Sequence, residues 1–399
     1  MQSVRKVTEQ VYWIGANDRR ISRFENMFPL PNGVAYNSYL VLDEKTAILD
    51  TVDSSVTAQY LENVAHVLNG RTLDYLVINH MEPDHCANIE ELVRRYPNVK
   101  VIGNKKTFQF FSQYYAMDIS MNQLEVQEGQ QLSLGKTALR FYMAPMVHWP
   151  EVMMTYEVTG QILFSADAFG AFGALSGNLF ADEMEIENLF LDEARRYYAN
   201  IVGRFGAQVQ AVLNKLKCVP IRVICPLHGP VWRENLWYLL EKYDRWSRYI
   251  PEKKGVVLFY ASMYGNTENA MLALANKLGE RGVTDMRMYD VSNTHASYII
   301  ADVWKYSHFV IGSPTYNMSL YYGMDTVLHE LTVLNMQNRS AAIIGNHTWA
   351  SAAKKGMEER LKAMKEITIL GTLDIRSSLK SETELDSMAD AIAASVLAP

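Results

Sequence analysis

A chain of 399 residues is too long for one ordinary hydrophobic core, so two or three domains are expected. An apolar fraction of 49% is that of a globular protein, and a formal net charge of −6 excludes the basic face that a nucleic-acid partner needs. Cys86, Cys218 and Cys225 are too few and too scattered for a disulfide framework or a Cys-x-x-Cys metal site, which points to a reducing compartment. No uninterrupted apolar stretch is long enough to span a bilayer and no signal-like core follows the N-terminal charges, so a cytoplasmic protein without a membrane partner is expected.

In chain order, residues 4–50 contain short β-like runs such as 38–42, and a helical pattern follows over about 54–68. A strand is expected at 74–79, a helix at 89–96 and a return to short strands over 120–165. This mixed order suggests an α+β arrangement or a sheet sandwich with outer helices. The charged segment Pro251-Glu252-Lys253-Lys254-Gly255 separates a helical stretch ending near Ile250 from a new apolar strand, giving domains 1–250 and 251–399. Beyond it, runs at 256–260, 285–291, 308–312, 341–345 and 367–370 read as five strands with helices between them and a last helix at 382–397. Five such units predict an α/β, doubly wound parallel sheet.

The strand at 74–79 delivers Asn79-His80-Met81-Glu82-Pro83-Asp84-His85, which reads as half of a metal site. Pro83 is expected to keep this loop from coiling into a helix. In an extended loop His80, Glu82 and Asp84, at alternate positions, project to one side, with His85 free to turn elsewhere. Partners are sought at other strand ends. His148 lies between a strand-like run and Pro150, Asp167 follows the apolar run 162–166, and His228 follows 223–227 and precedes Gly229-Pro230. A lone His or Asp at a strand end is more often a turn or capping residue, but four His with three carboxylates suffice for two metals with an open position at each.

The pattern His80-x-Glu82-x-Asp84-His85, then His148, Asp167 and His228, resembles the metallo-β-lactamase-like half of flavodiiron proteins. The neighbourhoods Tyr36-Asn37-Ser38-Tyr39-Leu40, His148-Trp149-Pro150 and His228-Gly229 with Trp232 are similar too, and the resemblance extends along essentially the whole chain. It implies an αββα sandwich. It also implies that one iron takes His80, Glu82 and His148, the other Asp84, His85 and His228, with Asp167 bridging. Whether His85 ligates or is turned away with water in its place stays open. Zinc hydrolases of the superfamily usually carry His where Glu82 stands. A carboxylate there adds negative charge and hard oxygen character, which suits non-haem iron.

In the second domain, Ala261-Ser262-Met263-Tyr264-Gly265-Asn266-Thr267 opens a helix after a strand, and its backbone N–H groups could cradle a phosphate. Ser313-Pro314-Thr315-Tyr316-Asn317 and Asn346-His347-Thr348-Trp349 end two further strands at the sheet edge where open α/β folds bind ligands. These loops resemble the phosphate loop and the two ring-binding loops of flavodoxins, which implies FMN, with Trp349 a candidate to stack on its ring. Ser262, Tyr264 and Gly265 depart from the commoner Thr-x-Thr-Gly-x-Thr loop, and Thr348 stands where Gly is frequent. No Gly-x-Gly-x-x-Gly fingerprint for direct NAD(P)H binding is present.

Two ferrous ions and a reduced FMN hold the electrons for reduction of O2 to water, and NO reduction to N2O needs two per pair; both are reactions of the family. Trp149 is placed as a pocket-lining residue. The resemblance further implies a head-to-tail homodimer or dimer of dimers, in which flavin and metal meet between chains. Without a Cys-rich rubredoxin-like segment, electrons are expected from a separate donor, rubredoxin or the reduced deazaflavin F420. Two alternatives are a dinuclear zinc hydrolase carrying a flavodoxin-like domain, opposed by Glu82, and an electron-transfer module with a vestigial metal site, opposed by the complete ligand set. Preference between O2 and NO is not legible in any motif.

Overall fold

The computed structural model describes residues 2–398. They divide into two compact units, one of residues up to 198 together with 207–244, the other of 199–206 together with residues from 245 onward.

In the first unit two sheets form. One has the strand order Arg5–Lys6, Val11–Trp13, Tyr39–Leu42, Thr46–Leu49, Tyr75–Val77, Lys100–Gly103, Gln123–Glu125. Its first four strands are antiparallel and those from Thr46–Leu49 onward run parallel. The other has the order Gln131–Ser133, Ala138–Met143, Met153–Glu157, Ile162–Phe164, Val223–Cys225. Thr46–Leu49 and Met153–Glu157 are buried along their whole length, as strands covered on both faces must be. The sheets meet where Tyr39 of one packs on Phe164 of the other, ring centroids 5.4 Å apart. Helix Thr57–Leu68 turns Tyr60, Leu61, Val64, Val67 and Leu68 inward at helical spacing and stops at Asn69 in a left-handed conformation. The result is the expected sandwich with outer helices.

One local expectation is overturned. Residues Pro83–Cys86 form a short helix with Pro83 at its first position and Glu82 as an extended N-cap. A proline N-terminal to a turn lacks only an N–H that the helix start would leave unused, and its fixed φ favours entry. The Glu82 carbonyl accepts from the His85 and Cys86 N–H groups, at 2.9 and 3.0 Å. Pro83 therefore starts a helix here rather than preventing one.

The second unit is a parallel sheet in the order Met286–Asp290, Lys253–Tyr260, Tyr306–Tyr316, Gln337–His347, Lys365–Arg376, the 2-1-3-4-5 order of flavodoxin-like folds. Helices Asn266–Glu280 and Asp386–Leu397 bury Ala270, Met271, Leu274, Met388, Ala389 and Ile392 against Val256, Leu258 and Val310. Helices Ala296–Lys305, Tyr322–Val333 and Ala353–Ala363 complete the alternation. The third and fourth strands run further than the sequence runs suggest: Ser313 pairs with Gly345 and Pro314 with Asn346, so the two ring-loop motifs begin inside the sheet. A two-residue strand, Ser319–Leu320, folds back on Thr315 and Tyr316 through Asn317 and Met318, both at positive φ. Among the described residues no helix is long and apolar enough to cross a membrane.

Candidate metal centre and flavin cavity

The strand Tyr75–Val77 and its extended continuation bring His80 and Glu82 to one side, and the helical turn at Pro83 swings Asp84 and His85 to another. This divides the ligand loop between two groups. His80, Glu82, His148 and Asp167 form the first, Asp84, His85 and His228 the second, with donor atoms of each group within 4.8 Å of one another. In the first, the His148 Nε2 lies 3.1 Å from Glu82 Oε2 and 3.0 Å from Asp167 Oδ2, and His80 Nε2 lies 3.1 Å from Glu82 Oε2. In the second, His85 and His228 each approach Asp84 Oδ2 to 3.3 Å with Nε2. Asp167 turns its other oxygen, Oδ1, toward His85 at 3.1 Å and His228 at 3.7 Å. One carboxylate thus offers an oxygen to each group.

All seven residues are at most 9% exposed. Buried charge at this density is costly unless paired. Yet Asp84 Oδ1 and Oδ2, His85 Nδ1 and Nε2, Asp167 Oδ1 and His228 Nε2 are buried without a hydrogen-bond partner. Lone pairs converging without donors are what bound cations satisfy, so the donor set fits two metal ions. Without a metal the site holds protons instead. Burial opposes it, but hydrogen bonds donated to Asp167 and Glu82 push His148 up to about 9, and against the same burial the charges of Asp84 and Asp167 push His85 up to about 9. Against burial, His85 and His80 hold Asp167 well below the usual carboxylate range.

Surrounding groups fix the ligands. His80 Nδ1 lies 2.8 Å from Glu151 Oε1, which also accepts the Met81 N–H, so Nε2 is the nitrogen turned toward the cluster. His228 Nδ1 donates to the Ala35 carbonyl at 2.8 Å with the same consequence. Asp50 accepts the backbone N–H groups of Asn79 and His80, at 2.7 and 3.1 Å, and burial raises it to about 6. Asn37 donates to the Pro226 and Gly229 carbonyls, both at 2.9 Å, bracing the turn that carries His228. Trp149 stands edge-on to His80 at 5.3 Å and near His148 at 6.1 Å. Glu25, on the turn between Arg23–Phe24 and Phe28–Pro29, is exposed at its surface, yet desolvation of its carboxyl and the neighbouring Glu82 push it up to about 9. Glu151, Asp50 and Glu25 were not singled out by the sequence pattern. Glu151, two residues past Trp149 in the same loop as His148, carried the one available signal.

In the second unit the three loops enclose a cavity of about 600 Å3. Its wall includes Ser262, Met263, Tyr264, Asn266 and Thr267 from the first, Pro314, Thr315, Tyr316 and Asn317 from the second, and Asn346, His347, Thr348 and Trp349 from the third. Gly265 and Ser313 are not on the wall. Gly265 instead caps helix Asn266–Glu280 at φ +85°, a conformation that favours glycine, and Ser313 is fully buried with its hydroxyl donating to the Pro314 carbonyl. Met318, Ala350 and Ser377 also line the cavity and carried no motif. The Thr315 hydroxyl accepts from the Ala352 and Ala353 N–H groups, at 3.0 and 3.1 Å, tying the second loop to the start of helix Ala353–Ala363. Volume and a helix N-terminus on the wall fit a flavin mononucleotide.

Residues 34–229 match the family described as "ODP family beta lactamase", and residues 258–389 match "Flavodoxin". The chain is 32% identical over 362 residues to a nitric oxide reductase of Moorella thermoacetica, covering 90% of each. It is 30% identical over 389 residues to the anaerobic nitric oxide reductase flavorubredoxin of Aeromonas hydrophila, covering 96% of this chain and 76% of the relative. Among solved structures, rubredoxin oxygen:oxidoreductase from Desulfovibrio gigas superposes with a TM-score of 0.91 at 28% identity, over 99% of this chain and 98% of the other. With both halves matched and relatives aligned across nearly the full length, the chain belongs to the flavodiiron protein family.

Proposed function

We propose that the chain reduces O2 to water, NO to N2O, or both, at a non-haem diiron centre reloaded with electrons by FMN. The observation that carries this reading is the pair of buried ligand groups sharing Asp167, with Glu82 where a zinc hydrolase usually has His. Residues 1–250 are read as the diiron domain and 251–399 as the FMN domain. The names of the relatives, a nitric oxide reductase and a rubredoxin oxygen:oxidoreductase, support both gases as substrates.

His80, Glu82 and His148 would hold one iron and Asp84, His85 and His228 the other, with an oxygen of Asp167 for each. His85 is counted as a ligand because both its ring nitrogens are buried without a hydrogen-bond partner. When bound, two ferrous ions and a reduced flavin supply four electrons, and the irons polarise the diatomic. The chain's own side chains prepare the pocket: Glu151 and the Ala35 carbonyl orient His80 and His228, and the Trp149 ring walls His80 and His148. Ser262, Asn266 and Thr267 would meet the FMN phosphate, and the second and third loops the ring.

Met263, Tyr264, Tyr316, Met318, Tyr322 and Trp349 are all exposed at or near the cavity. An exposed apolar group of this size favours coverage by another surface. A second copy, in a head-to-tail homodimer or dimer of dimers, is the partner this reading requires. Electrons come from a separate donor in the cytoplasm, rubredoxin or reduced F420.

Protein of measured iron and FMN content, reduced without oxygen and mixed rapidly with O2 or NO, is expected to consume the gas as the flavin reoxidises. Two zincs with hydrolytic activity and no gas consumption would sink the proposal. A dilution series tests the assembly, since a fully active monomer contradicts it.

A further inference from the structure

His347 and Asp374 form a contact at the flavin cavity that no loop motif contains. Strand Gln337–His347 pairs in register with Lys365–Arg376, setting Gly345 opposite Asp374 and His347 opposite Arg376. Residues 345 and 347 share a face by the two-residue period of a strand. A Cβ at position 345 would lie 2.9 Å from Asp374 Oδ1 and 2.7 Å from the Lys354 Cβ, so the bare glycine leaves room for the carboxylate to lean across. Asp374 Oδ1 then reaches His347 Nδ1 at 3.1 Å. Its other oxygen accepts the hydroxyl of Ser351, beyond Trp349 in the same loop. Asp374 thereby clamps both ends of the segment carrying Thr348 and Trp349. A carboxylate on Nδ1 fixes that nitrogen as the donor and leaves Nε2, which has no hydrogen-bond partner among the described residues, free to serve the cavity that His347 lines.

We propose that His347, oriented by Asp374 and Ser351, preferentially stabilises the reduced state of the flavin and so raises its potential; this rests on the FMN reading above. Reduction adds an N–H to the isoalloxazine, and an imidazole acceptor fixed at the cavity wall interacts more strongly with that new donor than with the oxidised ring, whose nitrogen there carries only a lone pair. A group binding one redox state better than the other must shift the equilibrium between them by that ratio. His347 is the flavin-facing group, and Asp374 and Ser351 are positioning residues.

The test measures oxidised FMN affinity by fluorescence quenching on the flavin-free protein, and the midpoint potential of bound FMN by spectroelectrochemical titration of the holoprotein. His347→Leu is expected to lose about tenfold in preference for reduced over oxidised FMN, or about 30 mV for a two-electron couple. Asp374→Ala is expected to reproduce the drop, and the double variant to fall no further than either single one, because the residues act as a unit. An unchanged potential in His347→Leu, or fully additive losses in the double variant, overturns the inference. Should Asp374→Ala fail to fold, His347→Leu against His347→Gln decides: Gln, which keeps an acceptor, should recover part of the potential, and equal losses in both overturn the role. A parent protein that binds no FMN would instead defeat the cofactor reading itself.

Discussion

The two buried donor groups and the aromatic side chains at the rim of the flavin cavity stand at opposite extremes of burial. Every residue of the two donor groups is at most 9% exposed, whereas Tyr264 and Trp349 at the flavin cavity are 89% and 87% exposed. A small dication needs several charges held within a few ångströms, and like charges stay together without it only if buried partners such as Glu151, Asp50 and Asn37 restrain them. A mononucleotide spreads over a wide surface and can be held by backbone groups and shape, with few side chains indispensable. The lesson is that damage should spread inward from the metal loops but stay local at the flavin loops.

The sharpest break in that contrast is Asp167→Ala, which removes the one carboxylate serving both groups. Oxygen and NO consumption should fall on the order of 100-fold or more, with iron lost and FMN per chain unchanged by metal and flavin analysis. Retained iron with full gas consumption would contradict the shared role. His148→Asn should likewise abolish gas consumption while flavin reduction by a chemical donor continues. One layer out, Glu151→Ala frees the His80 ring, and competition with a chelator should show roughly 10–100-fold weaker metal retention. On the flavin side, Trp349→Ala removes a ring contact of about 0.5–1.5 kcal/mol, so FMN should bind roughly 2–12-fold more weakly with iron content unaltered.

The metal-free protein should also show a pH dependence. His148 and His85 are raised to about 9 in the folded chain against about 6.5 for a free imidazole. A raised base contributes stability that is fully present below pH 6.5 and is lost as pH rises through about 9. Urea unfolding of iron-free protein should therefore show lower stability at pH 9.5 than at pH 6. Iron uptake must displace the same protons, so it should strengthen over that range, and iron-loaded protein should not show the loss.

Much of both regions was legible in the chain. The period-2 and helical patterns gave five strands and their helices in the second unit, and strand-end His and Asp residues identified His148, Asp167 and His228 as partners of the His80–His85 loop, because donors for one ion must sit where strands release the backbone. Pro83 was misread because a proline that forbids a helix interior is equally suited to a helix start, and only the Glu82 carbonyl, free to accept from His85 and Cys86, decides between them. That helical turn sends Asp84 and His85 to the second ligand group. Glu151 had only its nearness to His148 as a signal, which carries no mark of the ring nitrogen it meets, and Asp50 lies 29 residues before Asn79, whose N–H it accepts. The same holds for Asp374, which is distant in sequence and joined to His347 only by strand register. The sequence by itself set which residue types could offer metal donors and a phosphate-binding turn, since that is a property of residue type and spacing. Which oxygen of Asp167 faces which group, and which carboxylate orients which histidine, was decided by the tertiary structure, because those choices depend on distances of a few ångströms between strands far apart in the chain.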